Sequence, residues 1–340
     1  MKKNLFLSVS CVVLFALMVF AVTLGSVYIE AKVILKSILE WIKYGMDGVT
    51  CDDSIRFIIF EVRLPRIILA VLTGSLLSMA GAVYQAIFQN PMADPYVIGI
   101  SSGAAFGATI AIIFLPPMIV LGNSIVSLAA FVCAVFTSIL VYFISKTKRG
   151  VDTFSLLLTG VIFSTVLSSF ISLIMLSHQD EAMKIMTWTM GSFNAKSWNH
   201  VLTILVPTVV GIFFTIYHGK DLNVLVMGDE EAEAMGLNTK VLKRNMLLIC
   251  ALLTSIAVSV SGIIGFVGLI VPHFIRLIFG SEHKFLLKAS FVFGAIFMLL
   301  SDTIARSLID GFEVPVGIIT SLIGGPLFLI LLIRYRRSLR

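Results

Sequence analysis

The sequence predicts an all-α integral membrane protein with about ten transmembrane helices, the architecture of one continuous helical bundle, and three observations lead there. Of its 340 residues 58% are hydrophobic and only 13% charged, against roughly 25% charged in ordinary soluble domains. Mean hydropathy is +1.04, more apolar surface than a water-soluble fold of this size could hide. The apolar residues also fall in successive runs close to the ~20 that a helix needs to cross a hydrocarbon core about 30 Å thick. Residues 1–340 are therefore expected to form a single transmembrane domain.

Taken in order, the first run is Leu5 to Ser26, behind Lys2 and Lys3. It exceeds the 7–15 residue core of a secretory signal, so a retained first helix is expected. Residues 28–56 follow and include an amphipathic piece, Ala31 to Lys43, suited to a membrane surface. Spans are predicted near 57–87, 97–115, 118–144, 153–177 and 200–218. The last two are separated by 178–199, which mixes Trp188, Trp198 and charges as interfacial segments do. Residues 219–244 are polar and read as one short helix. Runs near 245–261, 264–279, 285–306 and 314–333 complete the ten, with Gly262, Gly265 and Gly268 predicting a broken or shortened helix between the first two of them.

An even number of spans puts both termini on one side. That side collects 16 Lys and Arg, among them Lys146, Lys148, Arg149, Lys240, Lys243, Arg244, Arg276, Arg334, Arg336, Arg337 and Arg340, against 9 on the other. Lys and Arg in short loops resist translocation. The termini and segment 219–244 are thus expected in the cytoplasm of a cell-membrane protein, with 28–56 and 178–199 outside.

Several function classes are excluded or weakened. Cys11, Cys51, Cys133 and Cys250 are scattered without a C-x-x-C pair, so no disulfide framework or metal site is expected. No G-x-x-x-x-G-K-[ST] occurs, so ATP must be hydrolysed by a partner. His273, the only histidine inside an apolar run, reads as a packed, hydrogen-bonded side chain and not as a ligand. No nucleophile–base constellation points to a membrane enzyme. An ion-coupled secondary transporter should carry intramembrane acids; Asp302 is the one tempting candidate, near an external helix end.

Three places carry more specific signals. Arg63-Leu-Pro-Arg66 opens a long helix, with two arginines on one face and Pro65 in a first turn that tolerates it. Arg306 falls at the same end, so the three read either as snorkelling anchors or as a cationic rim that receives carboxylates. Residues 81–108 hold Asn90-Pro91 and Asp94-Pro95, which force a non-helical elbow, and irregular backbone at membrane depth survives where protein or a watery path satisfies it. Gly228 to Gly236 (GDEEAEAMG) places four acids at a helix start and a glycine at its stop. Ala232, Ala234, Met235 and Leu237 give that helix an apolar side as well, which suits a docked partner.

Together these strings resemble the permease subunits of binding-protein-dependent ABC importers for iron siderophores, haem and cobalamin, the FecCD type. They are RLPR (63–66), GAVYQAIFQNPMADPYVIGISSGAA (81–105), WTMGS (188–192), LNVLVMGDEEAEAMGLN (222–238), GIIGFVGLIVPHFIRLIFG (262–280), DTIAR (302–306) and EVPVGIITSLIGGPLFLILL (313–332). They run in family order over nearly the whole chain. The resemblance implies the type II importer architecture, a homodimer or paralogous heterodimer of permeases, two cytoplasmic ABC ATPases that hold ATP and Mg, and an extracytoplasmic binding protein. No cofactor is implied for this chain itself. By position, Arg63, Arg66 and Arg306 match arginines that dock the binding protein. Gly228, Asp229, Glu230, Glu231, Glu233, Ala234 and Gly236 match the coupling helix that sits in the ATPase. Asn90 and Met92 match one cytoplasmic gate, and Thr153 and Phe154 another, where bulky Phe154 departs from the family's small polar residue. The implied cargo is an iron chelate, with cobalamin or haem as alternatives.

Overall fold

The computed structural model of the chain describes residues 2–25, 29–45, 48–120, 122–147, 150–309 and 311–338. Lys148, Arg149 and Arg340 of the charge count, Ser26 of the first run, Leu121 of the run 118–144, and residues 28, 46 and 47 of the first connecting segment lie outside the described residues.

Among the described residues seven helices are long and apolar enough to cross a membrane. They are α1 (Lys2–Thr23), the continuous helix Asp53–Ile87, α6 (Ile125–Ile144), α7 (Thr153–Ser177), α9 (Trp198–Tyr217), α12 (Thr239–Ser261) and α14 (His283–Ser307). Three shorter apolar helices, α5 (Ile100–Phe114), α13 (Val267–Phe279) and α15 (Val316–Ser338, apolar to Ile330), bring the set to the ten expected. The remaining helices lie between them: α2 (Ala31–Tyr44), α8 (Gln179–Thr189), α10 (Gly219–Leu225) and α11 (Asp229–Ala234).

The continuous helix is the mast of the bundle. It consists of α3 (Asp53–Phe57), a π-helical stretch Ile58–Arg63, and α4 (Leu64–Ile87). Almost every α4 side chain is buried, from Pro65 to Ile87. Small residues let its neighbours come that close. A Cβ at Gly74 would strike the Gly294 carbonyl of α14, and one at Gly81 the Gly268 carbonyl of α13. In the π register the Leu64 N–H goes to the Ile59 carbonyl, and Pro65, next in line, has no N–H to give the Phe60 carbonyl, which accepts a 2.9 Å bond from the Trp198 indole instead.

Several boundaries differ from the sequence reading. α6 starts at Ile125, not 118, because Ile119–Val120 (β1) and Asn123–Ser124 (β2) pair as a two-residue hairpin stem. A second such stem joins Lys146–Thr147 (β3) to Gly150–Val151 (β4). Segment 219–244 is two short helices and the start of α12, not one helix. Gly228 (φ 132°) separates α10 from α11 and Gly236 (φ 85°) ends α11, after which the Asn238 side chain accepts from the Val241 N–H at 3.1 Å and starts α12 six residues early. The predicted break is present at 262–266, opened by Gly262 in the left-handed region. α2 is amphipathic as expected, with Ile34 buried and Leu39 and Ile42 turned out.

Burial is uneven around the bundle. On α7 only Leu156 and Gly160 are fully buried. Phe154, Leu158, Val161 and Leu176 form an open apolar stripe along one face, and Phe170 and Leu173 are exposed on other faces.

Candidate functional site

At one end of the bundle α1, α4 and α14 are tied together by arginines. Arg66 straddles two acids. Its Nε and Nη2 donate to Asp302 at 2.9–3.1 Å, and its Nη1 donates to both Glu313 oxygens at 2.9 Å. Asp302 is fully buried, whereas the Glu313 side chain is 38% exposed. Such bidentate pairs are the strongest that a carboxylate makes.

The other two arginines serve a helix end. Arg63 donates to the Val22 carbonyl at 2.5 Å. Arg306 donates to the Leu24 carbonyl at 2.9 Å and to that of Ala21, with its Nε 4.0 Å from Asp302. The last carbonyls of α1 have no partner within their own helix, and cations are favourable there. The expected open rim is therefore recessed. Arg63 and Arg66 are buried, the Arg306 side chain is 4% exposed, and all three line one cavity of about 430 Å³ with Leu24, Phe312 and Glu313. Asp302, the sequence's candidate for an ion site, is instead the counter-ion of Arg66.

The opposite end carries the acidic turn. Gly236 donates to the Glu233 carbonyl and Leu237 to that of Ala232, the bond pattern of a helix stop with glycine in the left-handed region. Ala232 is fully buried and Leu237 packs on the core, which explains half of the predicted apolar side. Ala234 and Met235 face out. Asp229 accepts from Lys243 at 2.6 Å and Glu233 from Thr239 at 2.6 Å. Glu230 and Glu231 remain on the surface.

Between the ends lies the elbow. Asn90 Oδ1 accepts from Met92 N–H at 2.9 Å, Asp94 Oδ1 from Tyr96 N–H at 2.8 Å, and the Tyr96 hydroxyl donates to the Ile264 carbonyl at 3.0 Å. Side chains thus satisfy the irregular backbone, as a non-aqueous setting demands. The following turn Pro95–Ile98 packs on α7 so closely that a Cβ at Gly160 would hit the Val97 carbonyl. Asn90 and Met92 are brought together by their own bond. Thr153 and Phe154 sit apart from them at the start of α7, behind Asp152, whose carboxylate is held below its usual range by the Ser155 side chain and N–H. Phe154 is 73% exposed.

Comparison with known proteins adds to this geometry. Residues 13–334 match the FecCD transport family. The chain belongs to that family, whose members are ABC importer permeases. Among curated FecCD relatives, a cobalamin import permease of Halobacterium salinarum is 41% identical over 82% of this chain and 74% of its own. A hemin transport permease of Yersinia pestis is 36% identical over 84% and 86%. A solved structure described as an inward-facing metal-chelate type ABC transporter superposes with a TM-score of 0.81, at 32% identity over 97% of this chain and 99% of its own.

In this FecCD permease the sequence reading placed the arginines but missed what they hold. Glu313 stood unremarked inside EVPVG, and the Asp302–Arg306 spacing of four, legible as an intrahelical pair, was the one clue to the buried cluster. His273 is buried as expected, yet its Nδ1 finds no hydrogen-bond partner among the described residues; the expected hydrogen-bonded ring is a correction to that extent.

Proposed function

We propose that this permease imports an iron(III) chelate, driven by ATP and Mg held in two ABC ATPase subunits, with its termini and acidic turn in the cytoplasm. The observation that carries the reading is the division of charge. Glu230 and Glu231 stand exposed on a short helix anchored by buried Ala232, a shape suited to a cleft in a soluble partner. At the other end three guanidiniums and one carboxylate, Glu313, line one cavity with Asp302 buried behind it, an excess of positive charge that favours acidic side chains of a binding protein. The open stripe of α7 is where a second copy, or a paralogue, completes the pathway.

Along α7 the hydroxyls of Thr165, Ser169 and Ser172 bond back to their own helix carbonyls, a local habit of these residues in helices. A wall with its polar groups already satisfied suits a bulky chelate that passes with weak contacts. Alternating access then needs only that ATP bind one arrangement of the two permeases better than the other. Asn90, Met92, Thr153 and Phe154 are our candidates for the cytoplasmic gate. The metal-chelate structure supports the cargo class, and the identity to a cobalamin permease keeps cobalamin as the second reading.

The test is transport in proteoliposomes with the ATPase and binding protein. Glu230→Lys with Glu231→Lys should leave the permease inserted and abolish binding-protein-stimulated ATP hydrolysis. Uptake without ATP, or normal stimulation in the double variant, would overturn the reading.

A further inference from the structure

A second cavity, of about 210 Å³, opens where α4, the elbow, α13 and α14 meet near the acidic-turn end. That is far above the roughly 10–15 Å³ that one water needs. Arg276, His273, His283, Gln89, Asn90 and Ser281 line it, and among the described residues its lining contains no Asp or Glu.

The basic groups are fixed in place. Gln85 donates through Nε2 to the Leu269 carbonyl at 3.1 Å, which turns its Oε1 to accept from Arg276 Nη1 at 2.9 Å. Among the described residues no carboxylate pairs with Arg276. A guanidinium has five N–H donors, and among the described residues one protein acceptor, Gln85 Oε1, meets them. His283 is 2% exposed and His273 5%, and each has a buried ring nitrogen without a protein partner, Nε2 of His283 and Nδ1 of His273.

The protonation of His283 follows from its neighbour. Asn223 Oδ1 accepts from the His283 backbone N–H at 2.8 Å, which identifies it as the amide oxygen, and it lies 2.9 Å from His283 Nδ1. Nδ1 therefore carries the proton, and in the neutral ring Nε2 is an acceptor. A fixed cation with spare donors beside a buried acceptor calls for a ligand that is anionic and also bears a hydrogen.

We propose that this cavity binds a phosphate group carrying a P–OH, either inorganic phosphate or a phosphomonoester headgroup. Its oxygens accept from Arg276 and its hydroxyl donates to His283 Nε2. Bound there it braces the elbow against the coupling segment, because Gln89 already donates to the Leu225 carbonyl at 3.1 Å and Asn223 already holds His283.

The experiment follows thermal unfolding of the full-length chain in neutral-lipid nanodiscs during titration with inorganic phosphate or, at matched ionic strength, sulfate. Sulfate has the shape and charge but no hydrogen at neutral pH. Saturable stabilisation by phosphate is expected, with apparent affinity about 10- to 100-fold weaker for sulfate and for Arg276→Gln, the range for losing one charged hydrogen bond. Nanodiscs that contain phosphatidic acid separate the sources, since a headgroup occupant removes the response to free phosphate while raising the starting midpoint. Equal responses to phosphate and sulfate, or an unchanged response in Arg276→Gln, overturn the proposal. So does a phosphate response that disappears once the ATPases assemble, which would assign the cavity to an acidic side chain of the partner. Should Arg276→Gln fail to fold, Arg276→Lys keeps the charge without the fork and is expected to bind phosphate about tenfold more weakly.

Discussion

The two ends of the bundle handle charge in opposite ways. At the Arg66 end, Asp302 is wholly enclosed and each arginine is spent on the protein itself, on α1 carbonyls or on acids of α14 and the turn after it. At the acidic-turn end, Asp229 and Glu233 each hold one neighbour while Glu230 and Glu231 are left on the surface. Charges taken out of water must be paired or the fold loses heavily, whereas charges left in water contribute little to stability and remain available to others. The first end draws its charge into a recess; the second leaves it standing on the surface.

This contrast can be broken by mutation, and the largest effect belongs to the enclosed acid. Asp302→Ala removes the buried carboxylate between Arg66 and Arg306 and leaves Arg66 only the half-exposed Glu313, and should lower unfolding free energy by about 3–5 kcal/mol, read from denaturation in mild detergent. A cost near zero would mean that the cluster is not closed. Arg306→Gln removes two bonds to the end of α1 and should cost about 2 kcal/mol, with faster amide exchange confined to the last turn of α1. Glu313→Gln, at the half-exposed arm of the same arginine, should cost about 1 kcal/mol. If it matches Asp302→Ala, burial is not what separates the two acids.

The smallest effect concerns Lys196, half-buried beside Lys184 and Trp188 in segment 178–199, where burial pushes its ammonium down to about 8. A lysine whose folded pKa lies below its unfolded value of 10.5 destabilises the fold fully at pH below 8. That penalty is relieved as pH rises from about 8 to 10.5. Lys196→Met should therefore raise the thermal midpoint by about 2 °C at pH 7, with the gain fading over that interval. A gain independent of pH would assign the effect to packing.

Hydropathy made the ten spans legible, because a helix in lipid must be apolar over a set length whatever it packs against. Glycine made the break at 262–266 and the stop at Gly236 legible, because both are local backbone events. The one-helix reading of 219–244 failed where Gly228 takes a positive φ inside a run of good helix formers. The inward turn of the arginines was hidden for a different reason. Arg66 and Asp302 are 236 residues apart in sequence, and side-chain direction is set by tertiary packing that a single sequence does not display. A comparable distance, 191 residues between Gln85 and Arg276, concealed the cavity that His273, Arg276 and His283 share with the elbow.

The elbow has an electrical consequence. The helix that follows it, α5, has 15 residues and so is about 22 Å long, short of the roughly 30 Å of hydrocarbon it sits in. The remaining depth is covered by Asn90 to Gly99, an irregular stretch in which the Asn90 and Asp94 side chains accept from backbone N–H groups. Like α13, whose 13 residues span about 20 Å, α5 crosses only part of the hydrocarbon depth as helix, so the membrane voltage acts along a shorter helical path there than along its full-length neighbours.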